Sequence, residues 1–162
     1  NKLGAVGDMN FAISKRNIEE DLIIIAGDNL FDFDLQEAVD TFKKKNSNII
    51  VLHDVKDKNL AKNYGVVEID ESGIVKKFEE KPEKPKSTLV STGIYIFPKK
   101  TLGLIKEYAS QRNNTDKIGT FLEWLHKKDY IYSHISKKAW FDIGSHDQLK
   151  KAEEHYEKVD RR

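Results

Sequence analysis

The sequence has 162 residues, with 28 basic and 27 acidic side chains, a formal net charge of +1 and no cysteine. This length suffices for one domain with a sizeable core, and a single domain over residues 1–162 is predicted. The balanced charge gives no indication of a nucleic-acid partner, and the lack of cysteine excludes disulfides and thiolate chemistry. No apolar run reaches membrane-spanning length and the first residues lack a signal-peptide pattern, so we expect no membrane partner and a cytoplasmic location.

The first twenty residues have the pattern of a helix that follows a glycine. Gly4 and Ala5 precede Met9, Ala12 and Ile13, which are apolar residues at helical spacing. A glycine-containing turn that opens a helix can bind an anion or a nucleotide through free N–H groups, and an ordinary helix start is the other interpretation. Because this helix begins almost at the first residue and no initial methionine is present, we expect the chain to be the later part of a longer protein.

The next stretch has four consecutive aliphatic residues at 22–25, followed by Ala26, Gly27 and Asp28. Such a run is typical of a strand buried on both faces at the centre of a parallel sheet. Ligands of open α/β sheets bind beyond the carboxyl ends of the strands, so Asp28 is a candidate metal-binding or catalytic carboxylate. The alternative is that Asp28 only caps the following turn.

Alternating strand and helix patterns follow. Asp34 and Glu37 form a capping-box pattern before a helix that includes Phe42, and residues 48–55 predict the next strand, which completes a β–α–β unit. Gly93 predicts a bulge or the close approach of a ligand. The other predicted elements are a hairpin at 65–69 and 74–78 with Gly73 in its turn, a loop at 83–88, a core strand at 89–98, helices at 99–109 and 116–128, strands at 130–135 and 139–144, and a helix from 145 into a charged, solvated tail at 157–162.

These elements predict an α/β fold. We expect a three-layer α/β/α sandwich whose mainly parallel, Rossmann-like sheet carries an antiparallel hairpin insertion and lacks its first strand. A central strand at 22–25 needs a neighbour on each edge, and few residues precede it. Because an uncovered sheet edge tends to pair with another chain, a homo-oligomer is expected.

Two pairs of residues are candidates for chemistry. Asp28 and Asp142 each end a strand-like run near a glycine, and if the two strands lie close together both carboxylates could share one cation. Hard oxygen ligands without cysteine or paired histidine favour Mg²⁺. Glu80 and Lys81, fixed ahead of Pro82, either bind sugar hydroxyls and a phosphate or belong to an ordinary surface loop.

Other patterns have simpler explanations or none. Asp32 and Asp34 are similar to the acidic pair that glycosyltransferases use to hold a metal and a nucleotide sugar, although a turn residue and a helix cap explain them as well. The five histidines show no metal-ligand spacing, and no Ser–His–Asp order or nucleophile elbow supports a hydrolase. Trp124, Trp140 and Phe141 are predicted to be core residues.

Five short motifs, taken in order, resemble the sugar-1-phosphate nucleotidyltransferases, most closely those that act on glucose 1-phosphate and a thymidine nucleotide. The resemblance runs from about Leu3 to the last helix. The motifs are Gly27-Asp28-Asn29, Tyr64-Gly65-Val66-Val67, Glu80-Lys81-Pro82, Ser91-Thr92-Gly93-Ile94-Tyr95 and Trp140-Phe141-Asp142-Ile143-Gly144.

The resemblance implies an enzyme that joins a sugar 1-phosphate to the α-phosphate of a nucleoside triphosphate, which gives an NDP-sugar and pyrophosphate. It implies that Asp28 and Asp142 hold Mg²⁺ and that, with Lys81, they form the catalytic set. Positioning and charge neutralisation are the main requirements of such a transfer, and no covalent nucleophile is needed. The substrate-binding residues implied are Gly65, Glu80, Lys81, Ser91, Thr92 and Tyr95, with Gly4 and Ala5 beside the nucleotide base.

The sequence departs from that family at its start. The family's glycine-rich loop, with its arginine and lysine for the triphosphate, is absent, so we expect this chain by itself to have little or no transferase activity. Ala5 stands where some uridylyl-type members carry threonine, which leaves the base open. The alternatives are a non-catalytic relative that binds sugar phosphates and a metal-dependent glycosyltransferase that uses Asp32 and Asp34.

Overall fold

The computed structural model describes residues 3–111 and 115–160, so the last two residues of the predicted tail and the two residues before Leu3 lie outside it. The helices are α1 (Gly4–Arg16), α2 (Leu35–Lys45), α3 (Lys58–Ala61), α4 (Thr101–Ser110), α5 (Ile118–Leu125) and α6 (His146–Asp160). The strands are β1 (Leu22–Ile25), β2 (Asn29–Phe31), β3 (Asn48–Asp54), β4 (Gly65–Ile69), β5 (Val75–Glu80), β6 (Leu89–Phe97), β7 (Ile131–Ser136) and β8 (Trp140–Asp142).

Six of these strands form the main sheet, in the order β5-β4-β6-β3-β7, with β1 paired to β6. Strand β6 is antiparallel to β1, β3 and β4, whereas β7 is parallel to β3 and β5 is antiparallel to β4. Strands β1, β3, β4 and β7 therefore all run in one direction. The predicted α/β class with a mainly parallel set of strands is confirmed, and the hairpin insertion is the β4–β5 pair.

The sheet separates two hydrophobic cores. Ile50 and Leu52 of β3 face one core, which also takes residues of α1, α4 and α5, whereas Ile49 and Val51 face the other, which is covered by α2. Alternate residues of a strand point to opposite faces, so β3 is buried on both sides. The predicted three layers are confirmed. No helix within residues 3–111 and 115–160 has the length and apolar character needed to cross a membrane.

Within the described residues, strand β1 lies at an edge of the sheet, which agrees with the expected uncovered edge, whereas the prediction that the strand is buried on both faces is wrong. It pairs with the carboxyl-terminal half of β6, and Ile23 and Ile25 remain 48% and 44% exposed. Strand β1 does not pair with β3, because β6 lies between them. An apolar run shows that a strand can be buried, but it does not identify the strand that pairs with it.

Several predictions that depend only on neighbouring residues in the sequence are confirmed. Asp34 caps α2, since its Oδ1 accepts a hydrogen bond from the N–H of Gln36 at 2.8 Å. Gly73 takes the predicted left-handed conformation, with φ of 79°, in the β4–β5 turn. Gly93, with φ of 75°, lies in β6 where the β3–β6 register shifts, which confirms the predicted bulge. The short helix α3 had no counterpart among the predicted elements.

Candidate active site

A polar cleft of about 230 Å³ opens beside β6 and the β2–β8 ribbon, at the point where β1 ends and β4 begins. The predicted metal- and sugar-binding residues all line this cleft: Asp28, Gly65, Glu80, Lys81, Ser91, Thr92, Tyr95 and Asp142. The fold thus brings together residues that are up to 114 positions apart, Asp28 and Asp142 being the extremes. The remaining two predicted site residues, Gly4 and Ala5, do not line it.

Asp28 and Asp142 meet across a small antiparallel ribbon that is separate from the main sheet. Strand β2 pairs with β8 so that Asn29 lies opposite Asp142, and the N–H of Ile143 donates to the carbonyl oxygen of Asp28 at 2.8 Å. Opposed Cα atoms in such a pair lie about 4.5–5.5 Å apart. Both acidic side chains therefore occupy neighbouring positions at the same cleft, and the sheet does not separate them.

The donor set at this point suits a hard cation. Within the described part of the chain, no group of three or more histidine, cysteine or acidic side chains is placed to hold a metal. The protein would therefore supply two carboxylates, from Asp28 and Asp142. Mg²⁺ is commonly held by one or two carboxylates together with water and substrate phosphates, so these residues fit it.

Glu80 and Lys81 follow one another at the end of β5 and are held by different means. A Cβ atom placed on Gly119 would lie 2.6 Å from Oε2 of Glu80, so the lack of a side chain at 119 leaves room for this carboxylate. Lys81 has φ of 48°, and its N–H donates to the carbonyl oxygen of Tyr64 at 3.0 Å. A left-handed lysine is uncommon, and it turns this side chain out of the strand direction. The side chain of Lys81 is exposed.

The three predicted sugar-side residues of β6 differ in what their hydroxyl groups contact. Oγ of Ser91 and Oη of Tyr95 lie 2.9 Å apart and share a hydrogen bond. Burial raises the pKa of Tyr95 to about 12, so its hydroxyl stays protonated at neutral pH. The fully buried Thr92 donates its hydroxyl to the carbonyl oxygen of Val51 at 2.9 Å, which gives it a structural contact within the sheet.

The N–H groups of Ala5 and Val6 at the start of α1 are already hydrogen-bonded within the protein. The N–H groups of Ala5 and Val6 donate to the carbonyl oxygens of Asp116 and Thr115 at 3.3 and 2.9 Å. A Cβ atom on Gly4 would lie 2.5 Å from Cα of Asp116, which shows how closely the two segments approach. The interpretation of this turn as a nucleotide-binding one is therefore wrong for these N–H groups, which join α1 to the segment before α5.

Asp32 and Asp34 do not form a metal-binding pair. Oδ2 of Asp32 lies 2.6 Å from Nε2 of His155 on α6, and Asp34 is the cap of α2. Neither residue lines the cleft that contains Asp28. The structure gives the glycosyltransferase alternative no support, because both carboxylates have structural partners outside the cleft.

Acid is expected to remove a contribution of the Asp32–His155 pair to stability. The hydrogen bond from His155 lowers the pKa of Asp32 below its usual value. A carboxyl group with a lowered folded-state pKa stabilises the fold above its unfolded-state pKa, and this contribution is lost as pH falls through the folded-state value. In His155→Ala, the difference in unfolding free energy between near-neutral and strongly acidic pH should shrink by roughly 0.5–1 kcal/mol.

Urea denaturation at the two pH values, followed by tryptophan fluorescence, measures this difference. His146→Ala, an exposed change in the same helix, is the matched control and should keep the pH dependence of the unmodified chain. An unchanged pH dependence in His155→Ala would show that the pair contributes nothing.

Several cleft residues had no predicted role. Tyr64 lines the cleft and accepts a hydrogen bond at Oη from Nε2 of Gln148 at 3.2 Å, and both burial and the nearby Asp142 carboxylate raise its pKa. Trp140, predicted to be a core residue, is only half-buried and also lines the cleft. The sequence signal that could have placed Trp140 at the cleft is its position two residues before Asp142. Gly119 carried no such signal, because its role depends on Glu80 in a distant strand.

The fold and the cleft together define a three-layer α/β protein with an acidic cleft beside the ends of its strands. The chain belongs to the nucleotidyl transferase family, whose model matches residues 3–159. The predicted resemblance is confirmed at this level, and the similar proteins include some named as glucose-1-phosphate adenylyltransferase and glucose-1-phosphate thymidylyltransferase.

The similar proteins are named for different nucleotides. Glucose-1-phosphate adenylyltransferase of Clostridium acetobutylicum is 32% identical over 129 residues, which are 78% of this chain and 34% of that protein. The bifunctional protein GlmU of Methanococcus aeolicus is 30% identical over 143 residues, 88% of this chain and 33% of that protein. The chain thus spans about a third of the length of these curated relatives.

Solved structures show the same fold. A Bacillus anthracis chain described as a glucose-1-phosphate thymidylyltransferase, in complex with sucrose, superposes with a TM-score of 0.77 at 25% identity, covering 94% of this chain and 61% of that one. UDP-glucose pyrophosphorylase from Acinetobacter baumannii superposes with a TM-score of 0.81 at 21% identity, covering 96% and 57%.

Proposed function

We propose that this protein transfers a nucleotidyl group from a nucleoside triphosphate to a sugar 1-phosphate, with Mg²⁺ as the cofactor. A phosphate oxygen of the sugar attacks the α-phosphorus, the bond from that phosphorus to the β-phosphate oxygen breaks, and pyrophosphate leaves. The attacking oxygen is already anionic, so the site needs no strong general base. The observation that carries the proposal is the placement of Asp28 beside Asp142 in the cleft that also holds Glu80 and Lys81.

The charge balance of the cleft supports a metal-dependent reaction. Among the described residues that line the cleft, Asp28, Glu80 and Asp142 contribute three carboxylates, against the single ammonium group of Lys81. Both substrates are anionic, so this lining would repel them without a bound cation. When bound, Mg²⁺ neutralises phosphate charge and orients the reacting groups. Asp28 and Asp142 are the residues that would hold it.

The other side of the cleft fits the sugar phosphate. Lys81 is exposed at the rim and can pair with the phosphate as a flexible point charge. The carboxylate of Glu80 accepts hydrogen bonds from sugar hydroxyl groups, and the buried Gly65 brings its backbone to the cleft without a side chain. A Cβ atom at Gly65 would lie 2.5 Å from Cζ of Phe78, which is itself buried. Gly65 therefore has a packing requirement as well.

We take dTTP and glucose 1-phosphate as the first substrates to test, in line with the Bacillus anthracis neighbour's description. The test compares four nucleoside triphosphates and several sugar 1-phosphates, with pyrophosphate release and calorimetric sugar-phosphate binding as readouts. Mg²⁺-dependent binding of a sugar 1-phosphate is expected. Binding without pyrophosphate release is the result expected of this chain by itself and would not distinguish the enzyme from the non-catalytic alternative, whereas no Mg²⁺-dependent binding at all would contradict the proposal.

The edge of β1 supports association with a second copy of this chain. No other strand in the described part of the chain pairs with this edge, the strand carries no charge, and Ile23 and Ile25 are exposed beside it. Open edges of this kind tend to pair with another chain. We expect light scattering after gel filtration to show a dimer for the unmodified chain and a monomer for Ile25→Lys. Leu149→Lys on α6 is the matched control, and a wild-type monomer at high concentration would contradict this association.

A further inference from the structure

Three side chains connect the two strands of the β2–β8 ribbon to the first candidate metal ligand. The indole N–H of Trp140 donates to Oδ1 of Asn29 at 2.6 Å. Nδ2 of the same amide donates to Oδ1 of Asp28 at 2.9 Å and approaches the carbonyl oxygen of Ala26 at 3.4 Å. The three side chains, called the Trp140–Asn29–Asp28 relay below, form one continuous hydrogen-bonded chain that ends at the cleft.

The chemistry of the indole group fixes the direction of this relay. An indole N–H can only donate, so the amide of Asn29 must present its oxygen to Trp140. Its NH₂ group then points towards Asp28, where only an acceptor satisfies it. The relay therefore directs a donor at Oδ1 of Asp28 and leaves Oδ2 as the oxygen that faces no donor of the relay and is available to a cation.

Packing holds the donor end of the relay in place. The ring of Trp140 lies edge-on to Tyr64, with centroids 5.3 Å apart, and 5.8 Å from the ring of His53. On the other side, a Cβ atom on Gly93 would lie 3.0 Å from Nδ2 of Asn29, so the glycine leaves the space that the amide fills.

Asp28, at the acceptor end of the relay, is held by fewer contacts of its own. Asp28 is exposed, and a Cβ atom on the preceding Gly27 would meet nothing within 4 Å. Asp142 differs in this respect, because its Oδ1 accepts from the backbone N–H of Gly144 at 3.0 Å. Of the two candidate ligands, Asp28 is thus the one whose orientation depends on a distant side chain.

We propose that Trp140 and Asn29 are positioning residues that hold the Asp28 carboxylate in the orientation needed to bind the cation. This inference rests on the proposed function, which makes Asp28 a metal ligand. Partners that orient a ligand commonly change metal affinity by about 10- to 100-fold when they are removed. Without the indole N–H, the amide of Asn29 can rotate, and the carboxylate loses its fixed donor.

The test measures Mn²⁺ affinity by electron paramagnetic resonance of the free ion in four chains: wild type, Trp140→Phe, Asn29→Ala and the double variant. Trp140→Phe keeps an aromatic ring and removes the N–H, and we expect about tenfold weaker binding. Because both residues act through one relay, the double variant should bind no more weakly than Asn29→Ala. Trp124→Phe in α5 is the matched control and should bind as the wild type does.

A spectroscopic readout separates positioning from general loss of structure. In the wild type, Mg²⁺ should shift the indole N–H resonance of Trp140 and leave that of Trp124 unchanged. In Asn29→Ala, the shift at Trp140 should disappear while the urea midpoint shows whether the chain remains folded. Loss of affinity that only follows loss of stability, in Trp140→Phe and Trp124→Phe alike, would overturn the relay.

The remaining outcomes distinguish the relay from the function on which it rests. A wild-type chain that binds Mn²⁺, together with a Trp140→Phe variant that binds it equally well, would overturn the relay and leave the proposed function intact. A wild-type chain that binds neither Mn²⁺ nor Mg²⁺ would overturn both the metal-dependent function and the relay.

Discussion

Replacing Asp142 by Asn is expected to remove a direct metal ligand and so to weaken Mn²⁺ binding strongly. The loss of affinity should exceed the range of about 10- to 100-fold that is typical when a residue that only orients a metal ligand is removed. The substitution keeps the size of the side chain and an oxygen that can accept from the N–H of Gly144. It removes one of two negative charges from the proposed metal site. In a form of the protein that releases pyrophosphate in the proposed reaction, the same substitution should lower the Mg²⁺-dependent rate by at least about 100-fold, in line with the loss of a group that stabilises transition-state charge.

Asp34→Asn is the matched control for this prediction. It makes the same chemical change a few residues after Asp28, and asparagine caps helices about as well as aspartate. Mn²⁺ affinity and the unfolding midpoint should both stay close to those of the wild type. If Asp142→Asn bound Mn²⁺ as tightly as Asp34→Asn, the shared-carboxylate site would be wrong, and with it the proposed mechanism.

Replacing Phe121 by Ala is expected to lower the unfolding free energy by about 3–5 kcal/mol, the largest stability effect that we predict. Phe121 of α5 is fully buried, and its ring lies 5.3 Å from that of Tyr108 and 5.9 Å from that of Phe97. The change would open a cavity between α4, α5 and the sheet. Urea denaturation followed by circular dichroism measures the effect as a lower midpoint.

Phe11→Ala makes the same substitution on the outer side of α1, where the side chain is 58% exposed. Its effect should stay within about 0.5 kcal/mol, as for most surface changes. Equal losses for the two variants would mean that the α5 face is not the tightly packed core described here.

The pattern of the sequence predicted the cleft better than it predicted the sheet. Asp28, Glu80, Lys81 and Asp142 were singled out because each stands where a strand-like run ends, and all four line one cleft. Strand ends are marked by local changes from apolar to polar residues, which a sequence displays directly. The metal and sugar roles of these residues are predictions that the experiments above test.

At the start of α1, by contrast, the sequence pattern did not reveal the contacts that the backbone N–H groups make. A glycine before a helix looks the same whether its neighbouring N–H groups are free or bonded. The carbonyl oxygens that accept from Ala5 and Val6 belong to Asp116 and Thr115, more than a hundred residues later. No pattern near Gly4 could have revealed that contact.

By itself the sequence determined the alternation of helices and strands, the cap of α2, the turn at Gly73 and the acidic residues at the strand ends, since each depends on neighbouring residues. Only the tertiary structure decided that β6 separates β1 from β3, that β2 pairs with β8, and that Trp140 reaches Asn29. Apolar runs record that a strand can be buried, whereas its neighbours follow from how the whole chain packs and satisfies its backbone hydrogen bonds.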